Sequence, residues 1–207
     1  MILTSTFTAA LKFAAHASSE RDIRYYLNGV LFEFEGSTLH LVGTDGTRLA
    51  FAGLHLDPPP AYDAQFVVDT ASVKELLATF SRSTLEVNFR IDLPVAPSKV
   101  PTLVVEGFDK ELAAVSISPK VIEGTFPTWR RVVPPKSRPN GPMPAGLSSI
   151  YLATACTAIQ KMAAGKLNRG VAVSADGESM VVVRPIDAID PRVIDCAVVL
   201  MPLKATQ

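Results

Sequence analysis

The sequence contains few of the residues that build disulfide frameworks or metal sites. It has two cysteines, Cys156 and Cys196, and three histidines in 207 residues. Both cysteines lie in apolar surroundings, which is typical of buried free thiols in a cytosolic protein, with a disulfide between them as the alternative. His16, His40 and His55 do not have the paired spacing of metal ligands, and the cysteines do not supply it. We therefore expect no metal ion and no other cofactor.

Motifs of the common catalytic sites are also missing. The segment LVGTDGT has no basic residue at the position of a phosphate-binding lysine, and its pattern predicts that it enters a strand rather than a helix. No nucleophile elbow occurs, and Asp45 is a single carboxylate in its turn. The sequence therefore favours a protein that binds over an enzyme, and it offers no catalytic residue.

The chain has no excess of either charge, because 20 Lys and Arg balance 20 Asp and Glu. Strong overall attraction to DNA is not expected, although a local basic face is compatible with a net charge of zero. No uncharged run is long enough to span a bilayer. The apolar N-terminal stretch has no basic start and is interrupted by Lys12, so it does not have the pattern of a signal peptide. We expect a soluble, cytoplasmic protein without a membrane partner.

What the sequence does have is a repeated order of elements, with 48% apolar residues to form a core. A helix near residues 5–18 is followed by alternating strands such as VLFEFEG. The order recurs after AQFVVD, where Asp69 or Thr70 can cap a second helix, and again after Ser148 or Ser149. Each cycle is a helix followed by about three mostly antiparallel strands, which predicts the α+β class.

The spacing of apolar residues predicts which side of each helix is buried. The predicted core stripes are Val73, Leu76, Leu77 and Phe80 in the second helix and Leu152, Cys156, Ile159 and Ala163 in the third. One helix with three strands buries too little alone, so two such units back to back make a plausible domain. We predict a complete two-unit domain over residues 1–134, a Pro/Gly-rich linker over 135–147 and a half domain over 148–207.

The opposite sides of the helices are basic and poor in acids. In the first helix Thr8, Lys12 and His16 follow one stripe, and in the third the stripe is Thr154, Thr157 and Lys161. The second helix carries Lys74. These faces suit loose, sequence-independent contact with a phosphate backbone. The alternative is that they are ordinary solvated faces, since a few lysines on exposed helices are the norm.

Two loop segments carry features of a recognition surface. Arg24, Tyr25 and Tyr26 follow the first helix; Arg pairs with phosphates and Tyr offers a stacking face, unless the tyrosines simply begin a strand. The segment FPTWRRVVP combines aromatic residues, two arginines and flanking prolines, which predicts a rigid, extended segment lying across a surface.

Taken together, the segments RYYLNGVLFE, TDGTRLA, FPTWRRVVP and VVLMPLK resemble the bacterial DNA sliding clamp, the beta subunit of DNA polymerase III, in order and spacing. The resemblance covers most of the chain. The first three segments are similar to the family's middle domain and the junction after it, and the last to the final strand of its third domain. The resemblance therefore implies a shortened clamp: the middle domain plus the C-terminal half of the third.

The resemblance implies the DNA clamp fold, in which helices lie on one face of curved sheets and line a ring around double-stranded DNA. The family is an accessory subunit without a catalytic site, a processivity factor that holds polymerase, clamp-loader and repair proteins through short peptides. Carried across by matching residues, the peptide-binding pocket here comprises Leu27, Thr44, Gly46, Thr47, Arg48, Leu49, Pro127, Arg131, Val132, Val199, Met201, Pro202 and Leu203. DNA contact falls on Arg24, Tyr25 and Tyr26, and the helix faces add Lys12, Lys74 and Lys161.

This sequence departs from the family pattern at several points. Thr47 stands where the family usually has His, and Lys204 where Arg is usual. A ring built from whole domains would need partners, so we expect a homo-oligomer in which two half domains pair. The alternative function is a regulator or decoy that binds the same peptides without encircling DNA, encoded by a phage or other mobile element.

Overall fold

Three α-helices and twelve β-strands occur in the parts of the chain that the computed structural model describes. These parts are residues 2–80, 86–92, 101–108, 114–134, 146–162, 170–175, 180–186 and 189–202. The elements occur as three successive helix-and-strand units, as the repeated order predicts.

The first unit begins with a short strand and a helix, followed by a three-stranded meander. Its elements are β1 (Ile2–Leu3), α1 (Thr4–Ala15), β2 (Gly29–Glu35), β3 (Thr38–Thr44) and β4 (Arg48–His55). Gly36 turns β2 into β3 with a φ of 54°, a backbone conformation that favours glycine. A 3-10 turn, Tyr25–Leu27, connects α1 to β2.

The second unit repeats this order. Its elements are β5 (Ala64–Asp69), α2 (Thr70–Phe80), β6 (Glu86–Asp92), β7 (Thr102–Phe108), β8 (Ala114–Ile117) and β9 (Val121–Ile122). Asp69 caps α2, as the sequence predicts, because its Oδ1 accepts a hydrogen bond from the Ser72 amide at 2.7 Å. A second 3-10 turn, Trp129–Val132, follows β9.

The third unit comprises α3 (Ser149–Met162), β10 (Val171–Ala175), β11 (Val181–Pro185) and β12 (Val193–Leu200). Ser148 caps α3 through its Oγ, which accepts a hydrogen bond from the Tyr151 amide at 3.3 Å.

The predicted core stripe of α3 is partly wrong. Ile159 is buried as predicted, but the other buried residues of α3 are Ala155 and Met162, which the prediction did not include. Leu152 and Cys156 are only half-buried, and Ala163 lies outside the described residues. The buried side of α3 is rotated towards α1, because α3 packs against that helix as well as against the sheet.

The strands form two sheets, with orders β1-β6-β7-β8 and β10-β11-β12-β4-β3-β2-β5-β9. The larger sheet joins the first and third units, because β12 pairs antiparallel with β4 from Val193 opposite Leu54 to Leu200 opposite Arg48. All three helices pack on one main core that both sheets share. The predicted α+β class with mostly antiparallel strands is therefore confirmed.

Helix α1 lies between α2 and α3 and is buried along most of its length. Phe7 makes edge-to-face contacts with Phe32, Phe80 and Phe89, which tie α1 to elements of both sheets. The prediction that Thr8 lies on a solvated stripe is wrong, since Thr8 is buried and its Oγ1 donates to the Thr4 carbonyl at 2.8 Å. The sequence pattern of α1 does not show that α2 and α3 pack on either side of it, so it does not predict the burial of Thr8.

Cys156 and Cys196, half-buried and buried respectively, are not joined by a disulfide. Two half-buried histidines, His16 and His40, lie on opposite sides of the larger sheet. His16 Nδ1 donates to the Phe13 carbonyl at 2.7 Å, and His40 packs against the Trp129 ring. Burial lowers the pKa of His16, and burial together with the positive charge of Arg130 lowers the pKa of His40.

We predict that the free energy of unfolding falls as the pH drops from about 7.5 to about 5.5. Both imidazoles take up a proton at lower pH in the folded protein than in the unfolded chain, where the histidine pKa is about 6.5, so the unfolded state binds more protons across this window. Urea unfolding at several pH values measures the slope. Replacing both residues, His16→Gln with His40→Gln, should flatten it; an equally steep slope in the double variant would contradict this account.

Candidate functional site

A cavity of about 240 Å³ opens where the first and third units meet, beside the paired ends of β4 and β12. We call it the seam pocket. It is lined by Arg24, Tyr26, Leu27, Thr44, Gly46, Arg48, Leu49, Pro127, Thr128, Trp129, Val132, Val199 and Met201. Four stretches of chain that are separated in sequence therefore build one mostly apolar hollow.

Strand pairing places two walls of the seam pocket side by side. Leu49 on β4 is directly opposite Val199 on β12. The ladder continues one step beyond β12, where the Met201 amide donates to the Thr47 carbonyl at 3.0 Å. The C-terminal wall is thus held by main-chain hydrogen bonds, so its position follows from the sheet register rather than from side-chain packing.

The third wall is the segment over residues 126–132, which crosses the face of the larger sheet opposite the helices. Phe126 and Trp129 pack there with Phe51, and the centroids of the Trp129 and Phe51 rings lie 5.1 Å apart. Trp129 Nε1 donates to the buried Glu33 carboxylate at 3.1 Å, and Arg130 forms an ion pair with the same carboxylate at 2.6 Å. These contacts fix the segment so that Pro127 and Val132 border the pocket.

The turn over residues 44–48 forms the floor of the seam pocket. A network of hydrogen bonds centred on the Asp45 carboxylate holds this turn. Its Oδ1 accepts from the Thr47 amide, the Thr47 hydroxyl and the Arg48 amide, and its Oδ2 accepts from Arg48 Nε at 2.9 Å. Burial alone would raise the pKa of the Asp45 carboxyl, but the hydrogen bonds from Thr47 and Arg48 outweigh it and hold the pKa below its usual value. Asp45 is therefore a structural carboxylate that holds the turn.

Gly46 allows a guanidinium to lie against this turn. Its φ is 88°, and a Cβ built there would come within 2.9 Å of Arg24 Nη1. Arg24 is itself held in place, because Nη2 donates to the Asp45 carbonyl at 3.1 Å and the side chain forms a two-point ion pair with Asp22. The Arg24 side chain lowers the pKa of Asp22 to about 2. Arg24 and Arg48, which both line the seam pocket, are thus held in position by the carboxylates of Asp22 and Asp45.

The structure brings together most of the residues predicted for peptide binding. Those lining the seam pocket are Leu27, Thr44, Gly46, Arg48, Leu49, Pro127, Val132, Val199 and Met201. Thr47, Arg131 and Pro202 lie next to lining residues but do not line the pocket themselves, and Leu203 lies outside the described residues. The Thr47 hydroxyl is instead 3.4 Å from the Tyr151 hydroxyl of α3.

Sequence reasoning missed Trp129 and Thr128 as lining residues. The tryptophan could have been found, because it is the only one in the chain and sits in the segment singled out as unusual. Arg24 and Tyr26, predicted for DNA contact, also line the seam pocket, whereas Tyr25 is 58% exposed beside them.

A larger cavity of about 590 Å³ lies between α1 and α3 on the helix side of the sheet. We call it the helix cleft. Lys12 and Lys161 line it, as does Arg48, whose guanidinium lies 4.8 Å from the centre of the Tyr151 ring. None of its lining residues, all of them in the described part of the chain, is acidic. Lys74 is elsewhere, on α2, where it forms an exposed ion pair with Glu20 at 2.8 Å.

Within the described ranges, no three His, Cys, Asp or Glu side chains gather in a way that could hold a metal ion. None of the helices described there is long and apolar enough to cross a membrane.

Comparison with known proteins shows a match of residues 2–128 to a family model described as the central domain of the DNA polymerase III beta subunit. The chain is 35% identical over 119 residues to the beta sliding clamp of Vibrio cholerae, covering 56% of this chain and 28% of that protein. It is 29% identical over 156 residues to the beta sliding clamp of Salmonella typhimurium, covering 75% of this chain and 38% of that protein.

Solved structures show the same fold at low identity. The DNA polymerase III subunit beta from Pseudomonas aeruginosa superposes with a TM-score of 0.72 at 20% identity, covering 98% of this chain and 65% of that chain. The DNA polymerase sliding clamp from Bacillus subtilis superposes with a TM-score of 0.65 at 14% identity, covering 99% of this chain and 64% of that chain. The predicted clamp fold is confirmed, and the chain spans just under two thirds of these solved chains.

Proposed function

Because the chain belongs to the family of the central domain of the DNA polymerase III beta subunit, we propose that it acts in DNA replication as a sliding-clamp-like processivity factor. In this role it tethers polymerase, clamp-loader and repair proteins to double-stranded DNA in the cytoplasm and performs no catalytic step itself. The observation that carries the proposal is the seam pocket, an apolar hollow lined by four separate stretches of chain.

The ligand that suits the seam pocket is a short peptide with adjacent large apolar side chains. Leu27, Leu49, Val199 and Met201 offer apolar surface, and Trp129 adds an aromatic wall. Apolar anchors seated in a desolvated pocket usually carry most of the affinity of such a contact. The 3-10 turn, the strand ladder and the Glu33 contacts hold the walls in place before the ligand arrives, which reduces the entropy cost of binding.

Polar groups at the edge of the pocket would orient the peptide. Arg48 is held by Asp45 and Arg24 by Asp22, so both guanidiniums present fixed donors to peptide carbonyls or carboxylates. Arg131 is exposed next to Val132. We propose that the peptide-binding set extends to Thr47, Arg131 and Pro202 beside the lining residues, and to Leu203.

DNA contact is assigned to the helix side of the molecule. Lys12 and Lys161 lie there on neighbouring helices, together with Thr154 and Thr157 and without an acid in the cleft between them. Exposed Tyr25 is available for a backbone contact near Arg24 and Tyr26. Lys74 contributes less, since Glu20 already neutralises it. A few such contacts bind duplex DNA weakly, so retention on DNA would depend on encirclement.

The net charge of zero favours a second candidate function. Without an overall positive charge, peptide binding could be the main activity, and the protein would then act as a non-encircling regulator that competes for clamp-binding peptides. The two functions share the seam pocket and differ only in whether DNA is bound.

We predict that Met201→Ala or Val132→Ala weakens binding of a fluorescein-labelled peptide with adjacent Leu and Phe side chains by about tenfold each. Both residues are half-buried at the pocket wall, and loss of an anchor contact of about 1.4 kcal/mol corresponds to this factor. Fluorescence anisotropy measures the dissociation constant.

The matched control is Ile194→Ala, an apolar residue that is 47% exposed and outside the pocket lining. It should leave the affinity unchanged. A peptide in which Ser replaces Leu and Phe should not bind. Equal binding of the Met201→Ala variant and the unaltered chain would contradict the assignment of the pocket.

For DNA, the double variant Lys12→Gln with Lys161→Gln should bind a short duplex more weakly and with a smaller salt dependence. Removing two phosphate contacts reduces the slope of log affinity against log salt by about two. The control is Arg90→Gln, whose side chain is paired with Asp92 and Glu106 on the second unit.

An unchanged salt slope in the lysine double variant would contradict the DNA assignment. Peptide binding by the unaltered chain without any binding or retention on circular DNA would support the regulator and contradict the processivity factor.

A further inference from the structure

The helix cleft is an unfilled space between two packed helices. Helices in contact usually interleave large side chains and leave few voids between them. Small side chains line this cleft instead, with Ala9 on α1 and Ala153 and Ala158 on α3, and a cavity of about 590 Å³ remains. Natural ligand sites have volumes of roughly 300–1,000 Å³. The cleft is therefore large enough to hold a small molecule.

The cleft is elongated along the helices. Its lining on α3 runs from Ala153 to Met162, a distance of about 13 Å at the rise per residue of an α-helix. Phe13 and Met162 are buried and form an apolar floor. A long, narrow cavity with such a floor suits a linear apolar chain better than a compact polar molecule.

The two threonines of the cleft have already used their hydroxyl protons. Thr154 Oγ1 donates to the Tyr151 carbonyl at 3.0 Å, and Thr157 Oγ1 donates to the Ala153 carbonyl at 2.9 Å. A threonine hydroxyl has one proton, so these side chains offer a ligand only methyl groups and oxygen acceptors. Recognition of an acidic group is thus left to the cationic side chains.

The free charges of the cleft all have one sign. Its lining includes Lys12, Lys161 and Arg48, and none of its lining residues, all of them described, is acidic. Asp45 holds Arg48 through Nε, and the guanidinium lies against the Tyr151 ring. This hydrogen bond leaves the two terminal NH2 groups of Arg48 for a carboxylate. The Arg48 side chain is 18% exposed, so a contact made there is screened less than one at the surface.

Duplex DNA accounts for the mouth of the cleft but not for its interior. Phosphates of a duplex can reach Lys12 and Lys161, because both side chains are exposed. They gain nothing from Phe13 and Met162, which are buried and apolar. An apolar interior with a cationic rim complements a molecule that has both an apolar chain and an acidic head group.

We propose that the helix cleft binds a linear amphipathic carboxylate, such as a medium-chain fatty acid. The acyl chain lies between α1 and α3 over Phe13 and Met162, and the carboxylate accepts hydrogen bonds from the terminal NH2 groups of Arg48. Lys12 and Lys161 add attraction at the mouth. The site requires neither peptide binding in the seam pocket nor encirclement of DNA, although a bound carboxylate would compete with DNA for the two lysines.

Isothermal titration calorimetry of the full chain with decanoate, below its micelle concentration, tests the proposal. Hexanoate should bind more weakly, because each buried methylene raises the affinity about fourfold. Decyltrimethylammonium has the same chain with the opposite charge and should bind about tenfold more weakly or not at all. Absence of decanoate binding, or equally tight binding of the two probes, would overturn the proposal.

Ala158→Phe should lower the affinity for decanoate by about tenfold or more, because the ring fills the space of the chain. The matched control is Gln160→Phe, which adds the same ring to α3 at an exposed residue outside the lining. It should leave the affinity unchanged. Circular dichroism melts verify that both variants are folded. Equal affinity of the folded Ala158→Phe variant and the unaltered chain would contradict the placement of the ligand.

Arg48→Gln tests the position of the head group. It should weaken decanoate binding by about tenfold and leave the binding of uncharged decanol unchanged, a difference that general damage to the fold would not produce. Equal loss for both probes would overturn the assignment of the carboxylate to Arg48. Vesicles of phosphatidylcholine and phosphatidylglycerol separate a free carboxylate from a lipid surface. Sedimentation of the protein with such vesicles, without binding of free decanoate, would overturn the proposal in favour of a membrane surface.

Discussion

The pairing of β12 with β4 is the interaction on which the rest of this structure depends. It joins residues 193–200 to residues 48–54 across most of the chain length and makes one eight-stranded sheet from two units. This register places Val199 beside Leu49 and carries Met201 to the Thr47 carbonyl. It also sets α3 next to α1, so that the seam pocket and the helix cleft both follow from one ladder. A slip of one residue would turn Val199 to the other face of the sheet and remove a pocket wall.

A second long-range contact completes the pocket from the opposite side. Glu33 is buried on β2; Arg130 balances its charge, and its carboxylate oxygens accept hydrogen bonds from the Trp129 indole and the Gln65 amide. A buried carboxylate is costly unless each partner is in place, so this arrangement specifies where the segment over residues 126–132 lies. Arg48 then links the two cavities, because it lines both of them. Pocket and cleft therefore share a residue that is itself fixed by Asp45.

Local sequence patterns predicted the parts of this fold that depend on local chemistry. Alternation in VLFEFE predicted β2, and Asp69 predicted the start of α2, because strand faces and helix caps are decided within a few residues. The α3 core stripe and the exposure of Thr8 were mispredicted, because each depends on which helices lie alongside. Most residues of the seam pocket were predicted through family resemblance, whereas the hydrogen bond that fixes the Trp129 ring could not be, because it depends on Glu33 of β2 lying beside it in the fold.

Hydrogen–deuterium exchange of the full chain, with and without the Leu- and Phe-containing peptide, tests the central claim most directly. If the β4–β12 ladder builds the binding site, the peptide should slow exchange together over residues 44–49, 126–132 and 199–201. These stretches are far apart in sequence and meet at the seam pocket. Slowed exchange confined to α1 and α3, with these three stretches unchanged, would contradict the account.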